Sequence, residues 1–407
     1  MRKSNSKAKL MVLAASAAAL TALGGAASAQ APEPAISQSL SGAFGSVEEL
    51  AVPSAKAADP SMKVVARGLD NPRGLSLASN GALFVAEAGA GGDECFGEGP
   101  EGRSCYGESG AVTRIKDGRQ VRVVKGLPSF AGEGGFAAAG PHDVSLSGVG
   151  ETRRLFVTVG EGPREETGDE RFSRLLRVKD SGATASVADL LAHEQENNPD
   201  GGMDPFSNEP ELNSNPYSAE ALKGGGHAVA DAAGNSLLGV SPEGNVRTRA
   251  VFPTRPVEDP DQYGLPPGFR YQSVPNAVAK GSDGSYYVGE LTGFPFPVGE
   301  ARVYRLKPGS DKPRVYAEGF TNIIDVAVGP DGSLYVLELV KKGLLQAEGP
   351  DGDFTGRLVR VRPNGEQRTV ASEGLVAPSG VAVAPDGTVY VSNFGIFPDG
   401  GQVVRIK

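Results

Sequence analysis

Gly-Pro-His142-Asp143-Val places a histidine beside a carboxylate, in a chain with only three histidines. Such a pair can move a proton or hold a metal ion. The same short pattern, Pro-x-Gly followed by an apolar run, recurs along the chain. The position after its proline holds Arg73, His142, Tyr217, Asn276, Ile324 and Ser379. The next position is glycine at Gly74 and Gly380 but aspartate at Asp143 and Asp325. Copies that fold with glycine show that the repeat does not demand these carboxylates. Asp143, Asn276 and Asp325 could therefore surround a divalent cation such as Ca²⁺, with His142 and Asp143 as candidate catalytic groups. Neighbouring residues on a strand point to opposite faces, so His142 and Asp143 can share a ligand only where the strand bulges.

A second series ends the strand that follows each of these runs: Glu87, Asp231, Glu290 and Glu338, with Asn393 in the last copy. Four carboxylates at one height form an alternative oxygen-rich cation ring. The same residues could instead cap the turn after each strand, repeated because the turn is repeated. Aromatic residues gather in the long loops, above all in Gly-Phe294-Pro-Phe296-Pro and at Phe394 and Phe397. Together with Arg73 and Tyr217 these are the candidate ligand contacts; packing of the loops onto the fold is the competing role for the rings. Cys95 and Cys105 flank a short Gly-rich loop with no histidine in it, which favours a disulfide over a metal site. His193 begins His-Glu-Gln-Glu-Asn, which lacks the second histidine of a zinc-protease helix. No nucleophile elbow, phosphate-binding loop or EF-hand loop occurs.

The elements that carry these residues follow from one repeat. Each copy runs from the proline through an Asp-Gly or similar turn to a strand anchored by Val85, Val157, Val229, Val288, Val336 or Val391. Alternating strands come next, such as 111–116, 302–307 and 402–407, and then a fourth strand. Every interval exceeds the roughly 40–45 residues of a compact four-stranded blade, so loops are inserted. Six third strands are matched by five fourth strands. The missing one is Lys63–Leu69, nearly a copy of 121–127, ahead of the first repeat. The reading is all-β: a six-bladed β-propeller over 62–407, with an N-terminal strand completing the last blade. The insertions collect on one face, which marks a binding face.

With 57 glycines and 30 prolines, long helices are excluded. A net charge of −9 disfavours nucleic acid as a partner. Residues 1–29 combine a basic start, an apolar stretch too short to span a bilayer and an Ala-Ser-Ala cleavage site: a secretory signal peptide. Residues 30–61 read as a flexible Ala/Ser/Pro linker. No further stretch suits a membrane span, so a secreted monomer is expected.

Gly140–Val144, the segments 215–222 and 229–244, the stretch 288–306 with its Glu-Leu-Thr-Gly-Phe-Pro-Phe-Pro, and 320–332 resemble the ScyD/ScyE family of secreted bacterial proteins. Ser218 stands where that family usually has glycine. The blades are more distantly similar to NHL repeats and to gluconolactonase-, regucalcin- and strictosidine-synthase-like propellers. The resemblance implies a secreted propeller, and the gluconolactonase-like enzymes suggest metal ligands at Asn276, Asp143 and Asp325. Two functions stand beside each other. One is an extracellular binding module for a small molecule, glycan or protein on the loop-rich face. The other is a metal-dependent hydrolase, lactonase-like enzyme or isomerase at the central pore.

Overall fold

Val85, Val157, Val229, Val288, Val336 and Val391 are each 0 % exposed. Burying one valine contributes about 1.5–3 kcal/mol, and its branched side chain suits a pleated surface. In the computed structural model, which describes residues 62–97, 103–148, 154–202, 210–347 and 352–407, these valines mark the second strands of six antiparallel sheets. The signal peptide and linker expected before residue 62 lie outside the described residues.

The sheets form a six-bladed β-propeller. The innermost strands are Pro72–Leu77, Pro141–Ser147, Pro216–Ala221, Pro275–Lys280, Ile323–Val328 and Gly380–Val383. Each packs on the next, and the sixth returns to the first. A separate apolar cluster fills each gap between blades. Phe84 and Val112 meet Val144 and Leu176 between the first and second. Phe156 and Leu175 meet Val229 and Leu238 between the second and third. Ala382 and Val403 meet Leu75 and Val85 where the ring closes. Apolar clusters between neighbouring blades thus replace a single central core.

Turns on the plain face are tight. Asp117 and Gly118 both take positive φ (51° and 73°), the geometry of a two-residue hairpin turn that suits strand twist. The opposite face carries the long insertions and a two-stranded ribbon, Arg255–Pro256 with Arg270–Tyr271.

Closure occurs where the unpaired strand required it. Met62–Leu69 pairs antiparallel with Gly401–Ile406, from Met62 opposite Ile406 to Leu69 opposite Gly401. It is the outer strand of the sixth blade. Arg67 also reaches the first blade: its N–H donates to Gln120 Oε1 (3.1 Å), and Gln120 Nε2 donates to its carbonyl (2.7 Å). Deleting Met62–Leu69 should strip the Gly401–Ile406 edge and open the closing core. The expected outcome is a lower melting temperature by calorimetry with self-association in size-exclusion chromatography. A monomer as heat-resistant as the parent would contradict closure.

Candidate functional site

The innermost strands begin with a bulge in five blades. Register slips between Pro72 and Leu75, Pro141 and Asp143, Pro216 and Ser218, Pro275 and Ala277, and Ile323 and Asp325. A bulge breaks strict alternation, which is the condition for His142 and Asp143 to act in one neighbourhood. Six side chains follow: Arg73, His142, Tyr217, Asn276, Ile324 and Ser379, all buried. The His142 and Tyr217 rings lie 4.5 Å apart. Gly160 makes room for the imidazole, since a Cβ there would lie 2.1 Å from His142 Cε1.

Several polar atoms in this ring have no close, well-aligned hydrogen-bond partner among the described residues. They are Arg73 Nε and Nη1, His142 Nδ1, Tyr217 Oη, and both Nδ2 and Oδ1 of Asn276. Arg73 Nη2 donates to the Ala138 carbonyl at 2.7 Å, and the guanidinium lies beside the Tyr217 phenol. Buried polar groups are ordinarily satisfied, so a concentration of unsatisfied ones at one end of the axis stands out. Burial, then the nearby Arg73 charge, holds His142 well below the usual imidazole range, so it is neutral at pH 7. Burial raises the Tyr217 phenol as well.

One position further along, the side chains tie the blades together. Asp143 Oδ2 accepts from Ala219 N–H of the third blade (2.9 Å) and from the Ser218 hydroxyl (3.2 Å). Asp325 Oδ2 accepts from Val381 N–H of the sixth blade (2.7 Å). The second oxygen of each accepts from its own following N–H, Val144 at 2.7 Å and Val326 at 2.8 Å. The glycine siblings now have a reason. A Cβ on Gly74 would lie 2.1 Å from Asp143 Oδ1, and one on Gly380 would lie 2.5 Å from the Arg73 carbonyl. Burial pushes Asp143 up to about 7. Burial, then repulsion from Asp143, holds Asp325 well above the carboxylate range. Glu220, on the third innermost strand, is raised to about 7 by burial and then by Asp143, against the pull of Lys280. Among the described residues, no three His, Cys, Asp or Glu side chains stand together as a ready metal-ligand set.

Glu87, Asp231, Glu290, Glu338 and Asn393 are buried and engaged within their own blades. Glu87 accepts from Asp70 N–H (2.9 Å) and pairs with Arg122 (2.6 Å). Asp231 accepts from Asn215 N–H at 2.8 Å. Glu338 accepts from Thr321 N–H (2.8 Å) and Arg357 Nη2 (2.7 Å). Asn393 accepts from Val376 N–H at 2.7 Å. Glu290 accepts from the Ser273 hydroxyl (2.7 Å) and pairs with Arg255. Each latches the chain entering the blade to the end of that blade's second strand.

Phe294, Phe296, Phe394 and Phe397 are buried in one apolar cluster with Leu265, Phe269, Leu339 and Leu344. The cluster reaches the ring at Tyr217 and Ile324. Phe136, from the loop whose Ala138 binds Arg73, packs edge-on against Phe397 at 5.6 Å. The aromatic loops therefore pack their rings into a buried cluster that touches the ring of innermost-strand residues, rather than presenting them to solvent. Cys95 and Cys105 form a disulfide between paired strands Glu94–Phe96 and Ser104–Lys116, within the same loop-rich region. The residues missed from sequence are Glu220 and a buried glutamate, Glu194, which shares no repeat position with any other residue.

No protein-family profile and no curated protein sequence matches the chain. Several solved structures are similar to it at a low level. A PQQ-bound aldose sugar dehydrogenase from Streptomyces coelicolor is 16 % identical, with TM-score 0.48, over 87 % of this chain and 100 % of that one. A virginiamycin B lyase from Staphylococcus aureus is 12 % identical, with TM-score 0.45, over 85 % and 99 %. Regucalcin, a calcium-binding protein from Agrobacterium tumefaciens, is 11 % identical, with TM-score 0.46, over 84 % and 92 %. Likeness at this level carries no activity across to this chain.

The raised carboxyl at Asp143 sets a pH dependence. Its value is about 7 in the fold against about 3.9 for an unfolded aspartate. Its contribution is complete below the unfolded value. It is lost as pH rises from about 4 towards 7, where only the unfolded chain has released the proton. Thermal melts between pH 4 and 8 should show a shallower loss of stability in Asp143→Asn than in the parent. Superimposable pH profiles would contradict this assignment.

Proposed function

We propose that the protein is a secreted propeller of the ScyD/ScyE type that binds a small molecule carrying a carboxylate or similar anion at the pore mouth. The observation that carries this is Arg73. Its guanidinium is 0 % exposed, Nη2 donates to the Ala138 carbonyl, the Tyr217 phenol lies beside it, and among the described residues no acidic side chain forms an ion pair with it. A buried charge with no opposite charge costs several kcal/mol, and burial lowers the Arg73 pKa against the support of the Tyr217 phenol. An anionic group in front of Arg73 Nε or Nη1 would remove that cost and give a charge-assisted contact. Tyr217 Oη, Asn276 and neutral His142 Nδ1 offer the directional donors and acceptors that orient the rest of a ligand.

On this reading the buried aromatic cluster is a lid over the mouth and defines the access. Its buried rings shield the mouth from bulk water, which strengthens polar contacts beneath it. The ligand enters when the loops around Phe294 and Phe397 part. A small molecule is favoured over a glycan chain or a protein surface, because the unsatisfied groups lie below the lid.

A catalytic reading at the same mouth has one point in its favour: Asp143, raised to about 7, sits where a general acid or base works best. It would be preferred if a captured molecule left chemically altered.

The test is untargeted capture. Mature protein is incubated with a metabolite extract, re-isolated and denatured, and the released molecules are identified by mass spectrometry. Anionic molecules should be retained by the parent and lost at least tenfold in Arg73→Met, with the variant still folded. Equal retention by both would remove Arg73 from the site.

A further inference from the structure

The third strand of a blade carries an arginine in register with an aromatic residue of the second strand. Arg114 is paired with Phe84, Arg305 with Tyr287, Arg360 with Tyr335 and Arg405 with Tyr390. In the fourth and fifth blades the turn between the first two strands neutralises that arginine. Arg305 pairs with Asp283 and donates through Nε to the Ser285 hydroxyl at 3.1 Å. Arg360 pairs with Asp331 and donates to the Ser333 hydroxyl at 3.1 Å. Each aspartate also caps its own turn, accepting from the serine N–H at 3.1 and 3.2 Å.

The first blade keeps the cap and lacks the charge. Asn80 stands at the aspartate position and Ala82 at the serine position. Asn80 Oδ1 accepts from Ala82 N–H at 3.2 Å, the same turn contact. Neither side chain can neutralise a guanidinium. Among the described residues, no salt bridge reaches Arg114, Lys116 or Arg119. Across the hairpin, Arg114 is paired with Val121 and Lys116 with Arg119. These four residues and Asp117 line an open concavity of about 440 Å³ on the plain face. Three cations therefore share it with one carboxylate. Residues 114–125 hold five basic residues and one acid, in a chain of net charge −9. Of the five, Arg122 is already paired with Asp70 and Glu87.

We propose that this concavity docks the sulfate or carboxylate groups of an acidic polysaccharide. A guanidinium presents paired N–H donors that match either group. The Debye length of about 8 Å at physiological ionic strength screens the acidic surface elsewhere on the chain. An exposed cation holds one free anion weakly, whereas a polymer presents anions in series and gains by multivalency. Among the described residues the lining has no aromatic ring on which nucleic-acid bases would stack. The site lies on the face opposite the long insertions and does not depend on Arg73.

Retention of the purified protein on immobilised dextran sulfate and polygalacturonate, with neutral dextran as the reference, tests the proposal. Asn80→Asp restores the ion pair of the fourth and fifth blades. Arg305→Gln lowers the net charge by the same one unit in a blade outside the site. The parent should be held by an acidic polymer and not by dextran, with retention falling as salt rises. Asn80→Asp and Arg119→Gln should each weaken retention by at least about fivefold. Asn80→Asp should melt no lower than the parent, and Arg305→Gln should be retained like the parent. Failure of the parent to bind either acidic polymer overturns the proposal. So does tighter binding to single-stranded DNA or to phosphatidylglycerol vesicles. Equal weakening by Asn80→Asp and Arg305→Gln also overturns it, because net charge rather than this concavity would then govern binding.

Discussion

The closing strand Met62–Leu69 is the constraint on which the rest depends. A propeller blade buries apolar surface on both faces, and each of the six gaps here has its own cluster. Leave one gap open and two blades lose a neighbour. Pairing Met62–Leu69 with Gly401–Ile406 closes that gap by backbone hydrogen bonds. It also sets the geometry at the axis, because six innermost strands converge on a common mouth only in a closed ring. Arg73, from the first blade, meets residues contributed by the second and third for this reason.

Within that ring, hydrogen-bond satisfaction separates residues that hold the fold from residues left over. Glu87, Glu290 and Glu338 have arginine partners and incoming backbone or hydroxyl donors. Asp143 and Asp325 are acceptors in a belt that joins neighbouring blades. Such groups are explained by what they touch. Arg73, Asn276 and Glu194 are not: each is buried, polar and short of partners. The first two gather beside the apolar cluster of loop rings, and the third lies among other carboxylates.

The repeat made the architecture legible in the sequence. Period-2 strands, a valine in each second strand and a spare strand at the N-terminus define the blade count and the way the ring closes. The pairing of Cys95 with Cys105 was legible because the two flank a short Gly-rich loop that holds no histidine. The site was less so. Loop aromatics have no periodicity, so nothing in Gly-Phe294-Pro-Phe296 distinguishes a ring facing solvent from one packed into a buried cluster. Glu87 needs Arg122, which is on the fourth strand and shows no fixed spacing from it. Arg73 reads as an ordinary entrance residue, since a missing counter-ion is visible only once its neighbours are placed. Glu194 sits in an acidic, Asn-rich stretch that looks like solvated loop, and only the fold buries it.

Amide hydrogen exchange, resolved by residue, tests ring closure most directly. If the chain ends are zipped, the paired amides of Met62–Leu69 exchange as slowly as those of Val389–Asn393 in the same sheet, opening only with global unfolding. Exchange of Met62–Leu69 at the rate of a frayed terminus, with Val389–Asn393 still protected, would show an open ring and dissolve the pore mouth built upon it.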